Sequence, residues 1–446
     1  MLDALSEQIR TAYANGTPLS IQGGGSKRFY GNAVTGDILD TRVLSGIVEY
    51  QPKELVMTAR AGTPLTEIEA ALAAEQQMLA FEPPHFGERP LPNPDKTPSH
   101  STDETPSHST RLSKNDNQVA GYKPASGQVA GYRPLAGEGA NAEPKPIYAT
   151  LGGCIAAGLS GPRRPYTGAV RDYVLGVRII DGTGQALRFG GQVIKNVAGY
   201  DVSRLMVGAL GTLGLITEVS LKVLPRPAAE ISLQFEMDEA AALTAMNRWA
   251  GQALPLSATS WHAGLLHMRL SGAESAVKAA HVRLGGEVLH DAASFWQRLR
   301  EHRTPFFDKR PLWRLAVKST AAPLELTDAQ WLEWGGAVRW LALPAISELE
   351  VARLRELAGK AGGHATLFRH HPLPNPDGTT SHSTKLASEQ VAGYPPHAGE
   401  GASETPKPIQ GVFTPLPPAS YRIHQQLKQR FDPRGIFNRG RLYPHL

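Results

Sequence analysis

Leu19-Ser20-Ile21-Gln22-Gly23-Gly24-Gly25-Ser26-Lys27-Arg28 reads as a short strand running straight into three glycines, a hydroxyl and two cations. Without Cβ atoms, successive backbone N–H groups can converge on an anion, and Ser26, Lys27 and Arg28 place a hydroxyl and positive charge beside it. The spacing is neither G-x-G-x-x-G nor G-x-x-x-x-G-K-[ST], and a glycine triplet after a strand also serves as an ordinary tight turn, so the loop alone leaves phosphate binding open. Two more glycine turns, Ala149-Thr150-Leu151-Gly152-Gly153 and Gly211-Thr212-Leu213-Gly214, fall where strands begin or end. Several such contacts suit a long ligand better than a lone phosphate.

Outward from this loop the chain is α+β. Leu2, Leu5, Ile9 and Tyr13 have helical spacing stopped by Asn15-Gly16. Strands are expected at 46–50 and 55–60, then Thr63 as N-cap, Pro64 at the first helical position and a helix carrying Leu65, Ile68 and Leu72. Residues 173–180 and 185–189 read as a hairpin around Asp181-Gly182, and 215–224 as an alternating strand closed by Pro225. From about Ala228 the order becomes strand, helix, strand, strand, helix. Ile231, Leu233 and Phe235 alternate, Ala242, Leu243, Met246 and Trp249 have helical spacing, and a second round runs through 313–317 and 346–357. That order predicts a ferredoxin-like or doubled α+β unit. A last helix, 421–431, ends at Asp432-Pro433.

Two stretches interrupt this pattern. PLPNPDKTPSHST from Pro90 recurs as PLPNPDGTTSHST from Pro372, and QVAGY, AGEGA and PKPI follow in both copies. Each copy is rich in Pro, Ser, Thr, Gly, Asn and His and nearly empty of large apolar residues, so it cannot bury enough surface to offset the entropy of ordering its backbone. Residues 90–147 and 372–409 are therefore expected to be disordered insertions. Without these 58 and 38 residues, 350 of the 446 remain to be explained. The division expected is a first domain over 1–227, a second over 228–420 and a C-terminal segment, 421–446, packing back on the first.

Other chemistries find little support. The single cysteine, Cys154, rules out an internal disulfide framework and a cysteine-ligated cluster within the chain. Neither H-E-x-x-H nor G-x-S-x-G occurs, and no metal site is expected. The net charge of +5 is interspersed, which disfavours nucleic acid and suits a small anion. No window approaches a membrane span, and the N-terminus has no signal-peptide pattern, so a cytoplasmic protein is expected. Arg163-Arg164 could face an anion or form a solvated turn. Asp172 could bind a ligand or cap a turn, and Asn196, Tyr200 and Asp201 could line a site or belong to a surface helix.

Taken in order, Gln22 to Lys27, Ala149 to Gly153, Gly168-Ala169-Val170-Arg171-Asp172, Lys195 to Asp201 and Gly211-Thr212-Leu213-Gly214-Leu215-Ile216-Thr217-Glu218 resemble the FAD domain of the vanillyl-alcohol oxidase (PCMH-type) family. The tail Phe431-Asp432-Pro433-Arg434-Gly435-Ile436-Phe437-Asn438 resembles its D-lactate and glycolate dehydrogenase branch, and residues 81–85, 158–172 and 190–225 resemble the FAD-binding subunits of bacterial glycolate oxidases. The resemblance implies a two-subdomain FAD domain followed by an α+β cap, with non-covalent FAD held by Gln22, Gly23, Gly24, Gly25, Ser26, Lys27, Thr150, Leu151, Gly152, Gly153, Asp172, Asn196, Gly211, Leu215 and Ile216. Arg439 stands where the family usually has proline.

The resemblance further implies a glycolate oxidase complex that oxidises a small 2-hydroxy acid. A flavoprotein D subunit and an iron–sulfur F subunit would complete it, and any membrane contact would be peripheral, through the complex. Relatives that oxidise such acids themselves carry a histidine-rich set and arginines in the cap. Only scattered candidates are legible here: His262, His267, Arg269, Arg314 and His364, with Arg314 and His262 foremost. Hydride abstraction is thus expected at the D subunit's flavin, and no catalytic residue is assigned. A self-sufficient 2-hydroxy-acid dehydrogenase and a non-redox assembly subunit are the alternatives.

Overall fold

Residues 215–222 are buried at six of eight positions, the pattern of a strand covered on both faces. In the computed structural model, Leu215–Lys222 accordingly lies at the centre of a five-stranded antiparallel sheet. Val56–Arg60 and then Ile47–Gln51 lie on one side of it, and Val174–Ile180 and Ala186–Gly190 on the other. The structure describes residues 1–87, 147–191, 201–309, 311–324, 326, 329–343, 347–370 and 411–446. Both repeat copies and Asn196 and Tyr200 lie outside these, so the expectations placed on them find no counterpart here. Ile147, assigned above to the first insertion, belongs to the described chain.

Helices Leu65–Ala74 and Leu151–Ala157 supply Leu65, Ile68, Leu72, Leu151 and Ile155 to the core of this sheet. Pro64, not Thr63, occupies the N-cap of the first. The Thr63 hydroxyl instead accepts from the Gly46 N–H at 2.9 Å, which ties the strand to the helix start. The glycine turn at 152–153 is the opening of the second helix, capped by Thr150.

A smaller subdomain forms around Leu19–Gln22 and Asp37–Asp40, paired in parallel. Helix Leu2–Asn15 covers it with Leu5, Ile9 and Ala12, and the C-terminal Ile436 and Phe437 complete its core. The tail is locked there by backbone bonds from Leu19 N–H to the Ile436 carbonyl and from Asn438 N–H to the Leu19 carbonyl. Helix Pro418–Phe431 delivers it. Lys428 on that helix donates to the Thr212 and Phe437 carbonyls at 2.8 and 2.7 Å, and Asp432 accepts from the Ile436 and Phe437 N–H groups.

The remaining chain builds one eight-stranded antiparallel sheet from two ferredoxin-like halves. The first half, Ala229–Glu236, Leu256–His262, Leu265–Gly272 and Glu287–Val288, runs fourth-first-third-second across the sheet. The second, Leu312–Ala316, Gln330–Glu333, Val338–Ala342 and His364–Arg369, repeats that order in reverse. The halves join where Leu256–His262 pairs with Gln330–Glu333. Helices Glu239–Ala250, Glu274–Leu284 and Glu348–Lys360 cover one face with aliphatic side chains. The other face is aromatic: Phe306, Phe307, Trp331, Trp340 and Phe368 cluster with Trp296, and with Tyr30 and Phe86 from the first part of the chain.

A buried ion network fastens this junction. Glu82, in a left-handed conformation (φ 46), takes Arg163 at 3.3 Å and Arg269 at 2.8 Å, and Arg163 reaches Glu230 at 2.8 Å. Burial by itself would raise the Glu82 carboxyl, but Arg269 and Arg163 outweigh it and hold the group below its ordinary value. Arg163, read above as a possible anion ligand, is consumed here.

Candidate functional site

The glycine loop, the start of helix Leu151–Ala157 and the tail enclose a cavity of about 300 Å³. Of the residues singled out from sequence, Gln22, Gly23, Gly24, Gly25, Ser26, Lys27, Thr150, Gly152, Gly153, Gly211 and Ile216 line it. The glycines permit close approach. A Cβ on Gly24 would lie 2.1 Å from the Tyr148 carbonyl oxygen, and one on Gly152 would lie 2.7 Å from the Ala61 Cβ. The loop therefore packs backbone to backbone against residues 148–150, and only glycine fits.

Three expected residues stand outside this lining. Leu151 and Leu215 are almost fully buried in the hydrophobic cores, since each follows a strand or helix register that turns it away from the cavity. The Asp172 carboxylate accepts from the Ala169 N–H at 2.8 Å, which caps a 3-10 turn. Asn196 is outside the described residues. At the second turn, the N–H groups of Leu151, Gly152 and Gly153 already donate to the Thr63 carbonyl, the Ala61 carbonyl and the Thr150 hydroxyl. That turn contributes shape to the cavity.

Three cations, Lys27, Arg28 and Arg441, belong to the lining. Lys27 lines the cavity while its ammonium donates to the Ser26 hydroxyl and the His85 carbonyl, and burial lowers its pKa. Arg28, also in the lining, is exposed. Arg441, from the tail, donates to the Lys27, Arg28 and Asn32 carbonyls, and burial together with the neighbouring Arg28 brings it down to about 10. Asn438 spans the subdomains: its side-chain carbonyl accepts from Ile21 N–H at 2.8 Å and its amide donates to the Leu210 carbonyl at 2.6 Å. Arg441 escaped the sequence reading because it lies beyond the terminal motif. Its neighbour Arg439 is exposed and bonds the Gly435 and Arg434 carbonyls.

The remaining walls are apolar, from Ile21, Val34, Ala156, Leu210 and Ile216. Glycine backbone, cations and apolar walls in one cavity match the two needs of a dinucleotide flavin: a diphosphate cradle and a dry seat for flat rings. The histidine and cysteine nearest the loop are not in the cavity lining. His85 is buried against Glu69 at 3.0 Å, and Cys154 is buried with its thiol pushed up to about 11.

In the second part of the chain the candidates separate. Arg269 is held by Glu82, His262 stacks on Trp331 at 4.4 Å and bonds the Gln330 carbonyl, and His267 packs on Phe295 with burial taking its pKa down to about 4. Arg314 lines a second, smaller cavity. Among the described residues no group of three or more His, Cys, Asp or Glu could hold a metal ion, and no helix is long and apolar enough to cross a membrane.

An FAD binding domain family matches residues 2–88. The fold is shared with p-cresol methylhydroxylase, at a TM-score of 0.55 and 11% identity over 99% of this chain and 87% of that one. It is shared also with alkyldihydroxyacetonephosphate synthase, at 0.53 and 13% over 98% and 75%. These solved structures share the fold, and the family match adds an FAD binding domain. Sequence is more specific: glycolate oxidase subunit GlcE of Escherichia coli is 41% identical over 444 residues, covering 99% of this chain and 97% of that protein. Glycolate oxidase subunit GlcD of Bacillus subtilis is 39% identical over 109 residues, 24% of this chain and 23% of that protein. The chain belongs to the GlcE family of glycolate oxidase subunits.

Proposed function

We propose that this chain holds non-covalent FAD in the 300 Å³ cavity and serves as the second flavin subunit of a complex that oxidises glycolate to glyoxylate. In this reading a D subunit abstracts the hydride, and an iron–sulfur F subunit carries electrons away. The division proposed is a FAD domain over 1–227, a cap over 228–420 and a tail over 421–446. The single observation that carries the reading is the cavity, whose glycine loop, cations and apolar slot come together in a chain of this family. Bound flavin would supply a two-electron acceptor able to pass electrons on one at a time. The chain's own residues bind and enclose it: the loop and Arg441 face the diphosphate, and Asn438 fastens the strand before the loop to the tail.

Full-length chain purified alone is expected to carry flavin that acid precipitation releases into the supernatant. Mixed anaerobically with millimolar glycolate it is expected to stay yellow, whereas the complex with D and F reduces a dye. Prompt bleaching of the flavin band in the isolated chain would replace this reading with the self-sufficient dehydrogenase. A chain purified without flavin would leave the assembly role.

A further inference from the structure

Charge is interspersed along most of the chain and one-sided in its tail. Residues 411–446 contain six arginines and lysines and a single acid, Asp432, which is buried and bound to Lys428 at 2.8 Å. Every exposed charged side chain of the tail is therefore positive. Helix Pro418–Phe431 packs Leu427 and Phe431 against the core of the five-stranded sheet and leaves Arg422, Ile423, Gln426 and Arg430 exposed. Positions 422, 426 and 430 follow at four-residue steps, so they form one row on the outer face, with about 12 Å along the helix between the two arginine positions. Past the helix, exposed Arg434 donates to the Tyr13 and Ala14 carbonyls, and exposed Arg439 to the Gly435 and Arg434 carbonyls. None of these four guanidinium groups has a carboxylate partner among the described residues.

We propose that this face of the tail docks an acidic protein surface, one whose carboxylates meet Arg422 and Arg430 and whose apolar patch seats Ile423 beside them. The proposal rests on the reading of the chain as one subunit of a complex and names the face that a partner covers. A guanidinium pairs a carboxylate through two parallel N–H···O bonds, and like charges left unpaired on one face set up a field that steers an acidic partner toward it. Ile423, 56% exposed, is the one large apolar side chain that the tail leaves exposed, and it supplies a water-excluding contact that charge alone lacks. Exposed Gln425, Gln426 and Gln429 add amides that both donate and accept.

A bilayer is a poorer occupant. A helix lying in a membrane surface turns a broad apolar face to the lipid. This helix turns Leu427 and Phe431 to the protein core, and Ile423 alone is too little to anchor it.

The flavin-loaded full chain is immobilised, and its association with the D and F subunits is followed by interferometry at several salt concentrations. Association is expected to slow as salt rises, because exposed charges are screened. Arg422→Glu with Arg430→Glu should slow it by at least about tenfold and flatten the salt dependence, and Ile423→Asp should speed dissociation. Lys53→Glu with Arg283→Glu, which reverses two exposed cations elsewhere, should change little. Flavin absorbance and thermal midpoint, read in every variant, show that these surface changes leave the fold and cofactor intact. Unchanged association of the 422/430 variant, or equal slowing in the 53/283 variant, would overturn this face as the docking site and leave the subunit reading standing. No association of the unaltered chain at any salt would overturn both. Vesicles of phosphatidylglycerol and phosphatidylethanolamine are the remaining arm: capture of the unaltered chain at physiological salt that the 422/430 reversal abolishes would replace the protein partner with a lipid surface.

Discussion

Gly24 shows how little room the cradle has. An added Cβ would meet the Tyr148 carbonyl oxygen at 2.1 Å, and backbone on both sides cannot step aside as a flexible side chain would. Gly24→Ala is therefore expected to purify without its visible flavin band and to melt earlier. Glu333 carries a different cost. Its folded-state pKa of about 7 exceeds the ordinary 4.5, so between these values the folded chain binds a proton that the unfolded chain has released, and stability falls as pH rises through that window. At about 1.4 kcal/mol per pKa step the loss reaches roughly 3 kcal/mol by neutral pH. Glu333→Gln keeps an acceptor for Trp340 and removes the titration. Its thermal midpoint should gain on the unaltered chain as pH rises from 5 to 8, and a pH-independent difference between the two would contradict the shifted carboxyl.

Among elements, the turn after the C-terminal helix brings Asn438 and Arg441 to the lining of the proposed flavin cavity. Asp432 is nearly fully buried, pairs with Lys428 at 2.8 Å and accepts the N–H groups of Ile436 and Phe437, which shape the turn presenting Asn438 and Arg441. Asp432→Ala strands a buried ammonium and two N–H groups, a change that costs about 3 kcal/mol or more. Flavin affinity should fall together with the thermal midpoint, and a variant that melts early but keeps full flavin affinity would show that the tail is no part of the site. The cap sheet makes a complementary point. Strand pairing sets Arg314 opposite Trp340, Trp340 opposite Trp331 and Trp331 opposite His262, so one register row carries a cation and three rings across the aromatic face.

At the scale of the whole molecule, the two long interruptions leave and re-enter at neighbouring points. A Cβ on Gly87 would lie 2.9 Å from the Ile147 carbonyl, and Leu367 N–H bonds the Val412 carbonyl at 3.0 Å. Short connections can therefore span both gaps, and loop-closure entropy changes only slowly with length. Replacing residues 90–146 and 372–409 by short Gly/Ser linkers is expected to leave flavin content and thermal midpoint nearly unchanged, and a large loss of either would mean that the repeats brace the cofactor.

Much of this was legible before any coordinates. The helix at 2–15, the strand at 19–22, the hairpin around Asp181 and the ferredoxin-like order of the cap rest on local periodicity and turn chemistry, which act over a few residues. The glycine loop was legible as a cradle because missing Cβ atoms can be read from the letters alone. Tertiary structure alone decided which polar groups remain free for a ligand. Arg163 and Arg269 spend their charge on Glu82, Asp172 spends its carboxylate on a turn, and Arg441 enters the site from the far end of the chain. Those pairings join residues tens to hundreds of positions apart, so no local pattern records them; they follow from which surfaces meet when the sheets pack.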